Sequence, residues 1–132
     1  MSKYHNYITR TSDGIKHDSR KEANRWCELK LLERAGQIKD LQRQVKFELI
    51  PAQYIEVRLA SVYKRGPLKG QHKTKRVCVE QSVCYVADFV YVDVVTGEKV
   101  VEDTKSDATK TKDYKIKRKL MLYLKNIRIN EI

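Results

Sequence analysis

The stretch Cys84-Tyr85-Val86-Ala87-Asp88-Phe89-Val90-Tyr91-Val92-Asp93-Val94-Val95-Thr96-Gly97-Glu98-Lys99-Val100-Val101-Glu102-Asp103-Thr104-Lys105 decides the fold. Its density of Val and Tyr marks strands, and Thr96-Gly97 marks a turn between them. The β signal reaches back to Val77, so Val77–Val95 and Lys99–Lys105 are the expected arms of a hairpin. Side chains alternate across a strand, which puts Asp103 and Lys105 on one face and Glu102 and Thr104 on the other. Pairing of the arms brings Asp88 beside Asp103. Two carboxylates with an ammonium next to them make a divalent-metal site.

Working outward, the first residues through about His17 are polar and unpatterned, an expected loose arm or short strand. A helix then starts at Ser19 as N-cap, with Glu22 three residues on as in a capping box and Gly36 as its stop. Ala23, Trp26, Leu29, Leu32 and Ala35 recur at helical spacing and give one apolar stripe. Ile38–Ile50 reads as one or two strands ended by Pro51, and Tyr54–Val62 alternates as another. Tyr63–Arg76 contains Gly66, Pro67 and Gly70 with Lys64, Arg65, Lys69, Lys73, Lys75 and Arg76 and no acid, which predicts a mobile basic loop. Such a loop is either a solvated connection or a phosphate-contacting one, with Lys64, Arg65, Lys73, Lys75 and Arg76 as the DNA-binding candidates. A second helix is predicted from about Thr111 to Leu124. Ile116, Leu120, Tyr123 and Leu124 form its apolar face, and Lys112, Lys115, Arg118 and Lys119 its basic face. A short strand at Ile127–Ile129 closes the chain. The expected fold is one α/β domain.

The chain has 132 residues, enough for a single core, and Lys+Arg 28 against Asp+Glu 17 gives a net charge of +11. Such a charge favours a polyanionic partner, nucleic acid before acidic lipid, through steering and counterion release. No stretch approaches the ~20 apolar residues of a membrane span, and no apolar signal region opens the chain. Cys27, Cys78 and Cys84 lack zinc-type pairing; Cys78 and Cys84 sit in apolar runs and read as buried free thiols in a reducing cytoplasm. His5, His17 and His72 are scattered among polar residues, which argues against a histidine metal site or triad.

Mg²⁺ takes oxygen ligands, keeps several waters and is satisfied by one or two carboxylates plus substrate phosphate. Asp88 and Asp103 can supply the carboxylates, the Thr104 backbone carbonyl a third oxygen, and Lys105 a cation that orients water or stabilises charge on phosphorus. Taken alone, Asp103 and Lys105 could be an exposed ion pair worth about 0–1 kcal/mol. Two features favour the metal site. Asp88 ends a strand that should be half buried, where an unpaired carboxylate is costly. Glu102 faces away and has no lysine two residues on. Glu22 has two open roles, helix cap or third metal carboxylate.

These residues resemble the PD-(D/E)XK nuclease superfamily, whose restriction-endonuclease-like core runs αβββαβ with a mixed central sheet flanked by helices. Asp88 matches the family's aspartate, although Ala87 stands where proline is usual. Asp103-Thr104-Lys105 matches the (D/E)XK element, and Glu22 the first-helix glutamate. The runs His17–Ala23, Tyr85–Phe89, Val101–Lys105 and Tyr114–Leu120 are similar to a phage-associated, Holliday-junction-resolvase-like group of small nuclease-like proteins. The resemblance covers nearly the whole chain except a basic insertion at about 54–76. It implies a Mg²⁺- or Mn²⁺-dependent endodeoxyribonuclease with Glu22, Asp88, Asp103 and Lys105 as catalytic residues. It also implies DNA contacts from a basic second helix, with Lys115 and Arg118 or Lys119 the candidates and Lys112 on the same basic face. Branched or structured DNA in phage replication or recombination is the expected substrate, a homodimer the expected assembly, and the bacterial host cytoplasm the expected compartment. A non-catalytic DNA-binding protein and an RNA-cleaving nuclease are the alternatives.

Overall fold

The computed structural model describes residues 8–132; the first seven residues of the expected arm, His5 among them, lie outside the described residues. The chain divides into two compact units, residues 8–47 with 85–132, and residues 48–84. In the first unit, β1 (Thr9–Arg10) and β2 (Lys16–His17) pair antiparallel ahead of α1 (Arg20–Arg34). Next come β3 (Ile38–Ile50), β6 (Val83–Asp93), β7 (Lys99–Asp103), α2 (Lys112–Lys125) and β8 (Asn130–Glu131). The chain passes between the units within β3 and β6.

The caps set α1. The Ser19 hydroxyl accepts the Glu22 N–H at 3.1 Å, and Gly36 at φ +78° follows the last turn in a conformation open to glycine. Ser19→Ala is expected to cost about 1 kcal/mol, read as a lower urea midpoint with an unchanged m-value.

The sheet order is β3-β6-β7-β8, with β6–β7 antiparallel and β7–β8 parallel. The sheet is therefore mixed. Register fixes the two faces of the hairpin: Phe89 lies opposite Glu102, Val90 opposite Val101 and Tyr91 opposite Val100. Trp26 and Leu29 of α1 pack with Ile38, Phe89 and Tyr91, and the Trp26 and Phe89 rings stack 5.9 Å apart. Gly97, at φ +73°, closes the hairpin as the Thr96-Gly97 turn predicts. The long strand expected over Val77–Val95 is broken at Gln81 and Ser82 and ends at Asp93.

The second helix forms where expected, with Thr111 as N-cap, but buries a different face. Tyr114 and Met121 are buried, whereas Ile116, Leu122, Tyr123 and Leu124 are exposed. Polar contacts orient this helix. The Tyr114 hydroxyl donates to Glu131 at 2.8 Å, and the Arg118 guanidinium reaches both Glu131 oxygens at 3.2 Å, turning that side toward β8. The closing strand is displaced to Asn130–Glu131. Asn126, at φ 55°, reverses the chain, and the Ile127 N–H donates to the Met121 carbonyl as part of the helix cap.

In the second unit, β4 (Gln53–Val62) and β5 (His72–Glu80) form a two-stranded antiparallel ribbon. The expected loop over Tyr63–Arg76 is thus shorter than predicted: Lys73, Lys75 and Arg76 belong to β5, and only residues 63–71 connect the strands. That connection is ordered by its own bonds. Gly70 N–H donates to Tyr63 O at 2.9 Å, Lys69 to Gly66 at 3.1 Å and Gln71 to Leu68 at 2.9 Å. The expectation of buried thiols fails at Cys78, which is exposed on a two-stranded ribbon with both faces open, and holds only halfway at Cys84 near the start of β6; Cys27 is exposed. Among the described residues, no helix is long and apolar enough to cross a membrane.

Candidate functional site

Asp103 is the last residue of β7 and only 2% exposed. Its Oδ2 accepts the Tyr85 hydroxyl at 2.6 Å, and its Oδ1 lies 3.2 Å from Lys105 Nζ. Lys105 thus lies beside Asp103, as expected, although it stands two residues past the end of β7. Lys105 is fixed from three further sides. Its ammonium lies 4.7 Å from the centre of the Tyr114 ring, its N–H donates to Ile132 O at 3.0 Å, and its carbonyl accepts Lys21 Nζ at 3.1 Å.

Asp88 Oδ2 accepts both the Thr104 N–H at 2.9 Å and the Thr104 hydroxyl at 2.7 Å. The expectation that Thr104 points away with Glu102 is therefore overturned. Regular strand ends at Asp103, so strict alternation no longer governs Thr104, and its two donors close on Asp88. The Thr104 carbonyl, the expected third metal oxygen, belongs to the residue that Asp88 holds in place.

At Glu22 the backbone N–H makes the Ser19 cap, which leaves the carboxylate to other partners. The buried carboxylate accepts Gln44 Nε2 at 3.2 Å and lies 3.6 Å from His17 Nδ1. Burial first, then the negative charges of Asp88 and Asp18, raise its pKa to about 7. Burial likewise raises Asp103 to about 7, reinforced by the hydrogen-bonding and charge of Asp88 and opposed by Tyr85 and Lys105. Asp88 thus acts on both of the other carboxyls. Among the described residues, no group of three or more His, Cys, Asp or Glu is arranged to hold one ion. Mg²⁺ does not need such a group, because it keeps several of its own waters. Asp88 and Asp103 are neighbouring acids, with burial and then Asp88 raising Asp103, and such a pair fits a cation on chemical grounds.

Glu102 goes the other way, as alternation predicts. It is fully buried and grips Arg25 of α1 bidentately, Oε1 to Nε at 2.8 Å and Oε2 to Nη2 at 2.6 Å, with the Tyr91 hydroxyl also donating to it. Glu102 serves the union of α1 with the sheet, while Asp103, next to it in sequence, serves the site.

Sequence reasoning missed Tyr85, Gln44, His17 and Arg25. His17, set aside as one of three scattered histidines, is 1% exposed with its Nδ1 unbonded, and burial and the charge of Arg43 lower its pKa. Gln44 sits at φ 53° inside β3, a backbone irregularity that a β pattern does not disclose. Tyr85 was legible only as an aromatic three residues before Asp88. The basic candidates separate into groups. Lys112, Lys115 and Lys119 of α2 are exposed, while Arg118 is half-buried and engaged with Glu131. Lys64 and Arg65 lie in the ribbon connection, and Lys73, Lys75 and Arg76 on β5.

A family model described as "Protein of unknown function (DUF1064)" matches residues 1–131. The chain belongs to this family. Comparison with curated proteins and with solved structures gives no match. For this member of the DUF1064 family, the carboxyl cluster makes a test independent of any reaction. Asp103 holds its proton up to about pH 7 in the folded state, against an ordinary 3.8. Its contribution to stability is complete below about pH 4 and is lost as pH rises through 7. Asp103→Asn cannot ionise. It should therefore gain on the wild type by roughly 1–3 kcal/mol between pH 4 and 8, most of it by pH 7, in thermal melts without divalent metal. A gap that stays flat with pH would remove Asp103 from the cluster.

Proposed function

We propose that the protein is a Mg²⁺- or Mn²⁺-dependent endodeoxyribonuclease of the PD-(D/E)XK type, acting on branched or structured DNA. One observation carries this reading: Asp103 is buried against Asp88 and paired with Lys105, with Glu22 in electrostatic reach of Asp88. The order α1, β3, β6, β7, α2, β8 in the first unit supports a restriction-endonuclease-like core, with β4 and β5 interposed. The charge of +11 supports DNA as the partner.

Asp88 and Asp103 would hold the metal, with the Thr104 carbonyl and Glu22 as further oxygens. When bound, the ion neutralises charge on the phosphate and lowers the pKa of its water. The protein's own residues do the rest. Tyr85 fixes the rotamer of Asp103 by its 2.6 Å bond, and Thr104 fixes Asp88 through two. Lys105, held over Tyr114, presents its ammonium to the attacking water or to charge growing on the phosphate oxygens.

A homodimer would supply two sites for the two strands of a junction. The exposed Ile116, Leu122, Tyr123 and Leu124 on α2 support an assembled state, which sedimentation would measure. The deciding experiment digests a four-way junction, a flap, plain duplex and RNA side by side with Mg²⁺, Mn²⁺ or chelator. Metal-dependent cutting of the branched DNA is expected. Binding without cutting under every metal would leave a DNA-binding protein, and preferential cutting of RNA would change the substrate.

A further inference from the structure

The β4–β5 ribbon distributes its charge in an unusual way. Between residues 48 and 84 there are seven Lys or Arg against Glu48, Glu56 and Glu80. Register assigns them to faces. Tyr54, Glu56 and Arg58 stand opposite Cys78, Arg76 and Thr74, while Ile55 and Val57 stand opposite Val77 and Lys75. Arg58 and Arg76 therefore share one face, and Lys75, with Lys73 two residues before it, the other. Lys64, Arg65 and Lys69 occupy the tip. All seven are exposed. Arg76 is held in place by its guanidinium lying 3.8 Å over the Tyr54 ring.

A flat anionic surface such as a lipid headgroup layer rewards charge on one face only. Cations on both faces and at the tip fit a partner that carries anions on both sides of the ribbon. A groove of duplex nucleic acid does so, with a phosphate strand along each wall. The major groove of B-DNA, about 12 Å wide, admits a two-stranded β-ribbon, whereas the A-form RNA major groove is too narrow and deep for side chains to read. An isolated two-stranded ribbon is marginal in water, and Ile55, Val57 and Val79 remain exposed here. Burial in a groove would remove that surface from solvent.

We infer that the β4–β5 ribbon inserts into the major groove of duplex DNA, with Arg58, Lys73, Lys75 and Arg76 contacting the flanking phosphates. This deepens the reading of DNA as partner and rests on it, but not on cleavage. The test uses the full chain and a 20-base-pair duplex in chelator, so that no cutting interferes. Arg58→Ala/Arg76→Ala and Lys73→Ala/Lys75→Ala should each weaken binding about fivefold or more and lower the salt slope by about 2, with unchanged thermal melts. Guanine N7, a major-groove atom, should be protected from dimethyl sulfate by the wild type. Wild-type affinity in both double variants, unprotected N7, or tighter binding to duplex RNA or to anionic vesicles than to the DNA would each overturn the inference. Protection of N7 with no cutting under any metal would support it while refuting the nuclease.

Discussion

Asp103→Ala and Lys105→Ala are each expected to lower metal-dependent cleavage of branched DNA by on the order of 10²–10³-fold or more, while leaving DNA binding in chelator within about twofold. Asp103 is the buried acid of the neighbouring pair, and Lys105 is the cation held 3.2 Å from it. Removing Asp103 leaves Tyr85 without its acceptor and Asp88 without a companion for the ion. Removing Lys105 leaves the acids in place and takes away only the positive charge at the reacting phosphate. The two variants should therefore differ in one respect: raising Mg²⁺ should recover part of the loss in Asp103→Ala and little of it in Lys105→Ala. Glu102→Gln provides the contrast. That residue is adjacent in sequence yet bound to Arg25 on the other face of β7, so at a temperature where the variant is folded its cleavage should stay near wild type. Undiminished cleavage by either Ala variant would remove these residues from the site.

The second large effect is on stability. Arg25→Ala is expected to destabilise the protein by about 3–5 kcal/mol, because it strands the fully buried Glu102 carboxylate with only the Tyr91 hydroxyl as donor. Burial and the Glu102 bond also push the Tyr91 hydroxyl up to about 12, in keeping with an anion held beside it. A loss of that size should lower the melting temperature by about 10 °C or more. Combining Arg25→Met with Glu102→Leu should recover most of the loss, since apolar residues of similar volume remove the buried charges together. Melts of Arg25→Met, Glu102→Leu and the double variant close a cycle that gives the coupling energy. A loss below about 1 kcal/mol in Arg25→Ala would show that solvent already screens the pair, whose arginine side chain is 22% exposed.

Features governed by neighbours close along the chain are legible in the sequence. The Ser19 cap and Gly36 stop of α1, the turn at Thr96-Gly97, the antiparallel hairpin and the opposite faces of Glu102 and Asp103 follow from capping chemistry and the period of a strand. Features that depend on distant partners emerge only in the folded chain. Arg25 and Glu102 are 77 residues apart, and Tyr85 and Asp103 are 18 apart. The exposed side of α2 is the clearest case. Counting apolar residues selects Ile116, Leu120, Tyr123 and Leu124, but Glu131 draws Tyr114 and Arg118 inward and leaves that stripe, except the half-buried Leu120, in solvent. Lys73, Lys75 and Arg76 read as loop because Gly66, Pro67 and Gly70 precede them, and a strand with both faces open shows little apolar alternation to mark its start. Local periodicity records which side chains share a face. Which face is buried is set by the polar and apolar groups that the rest of the chain brings against it.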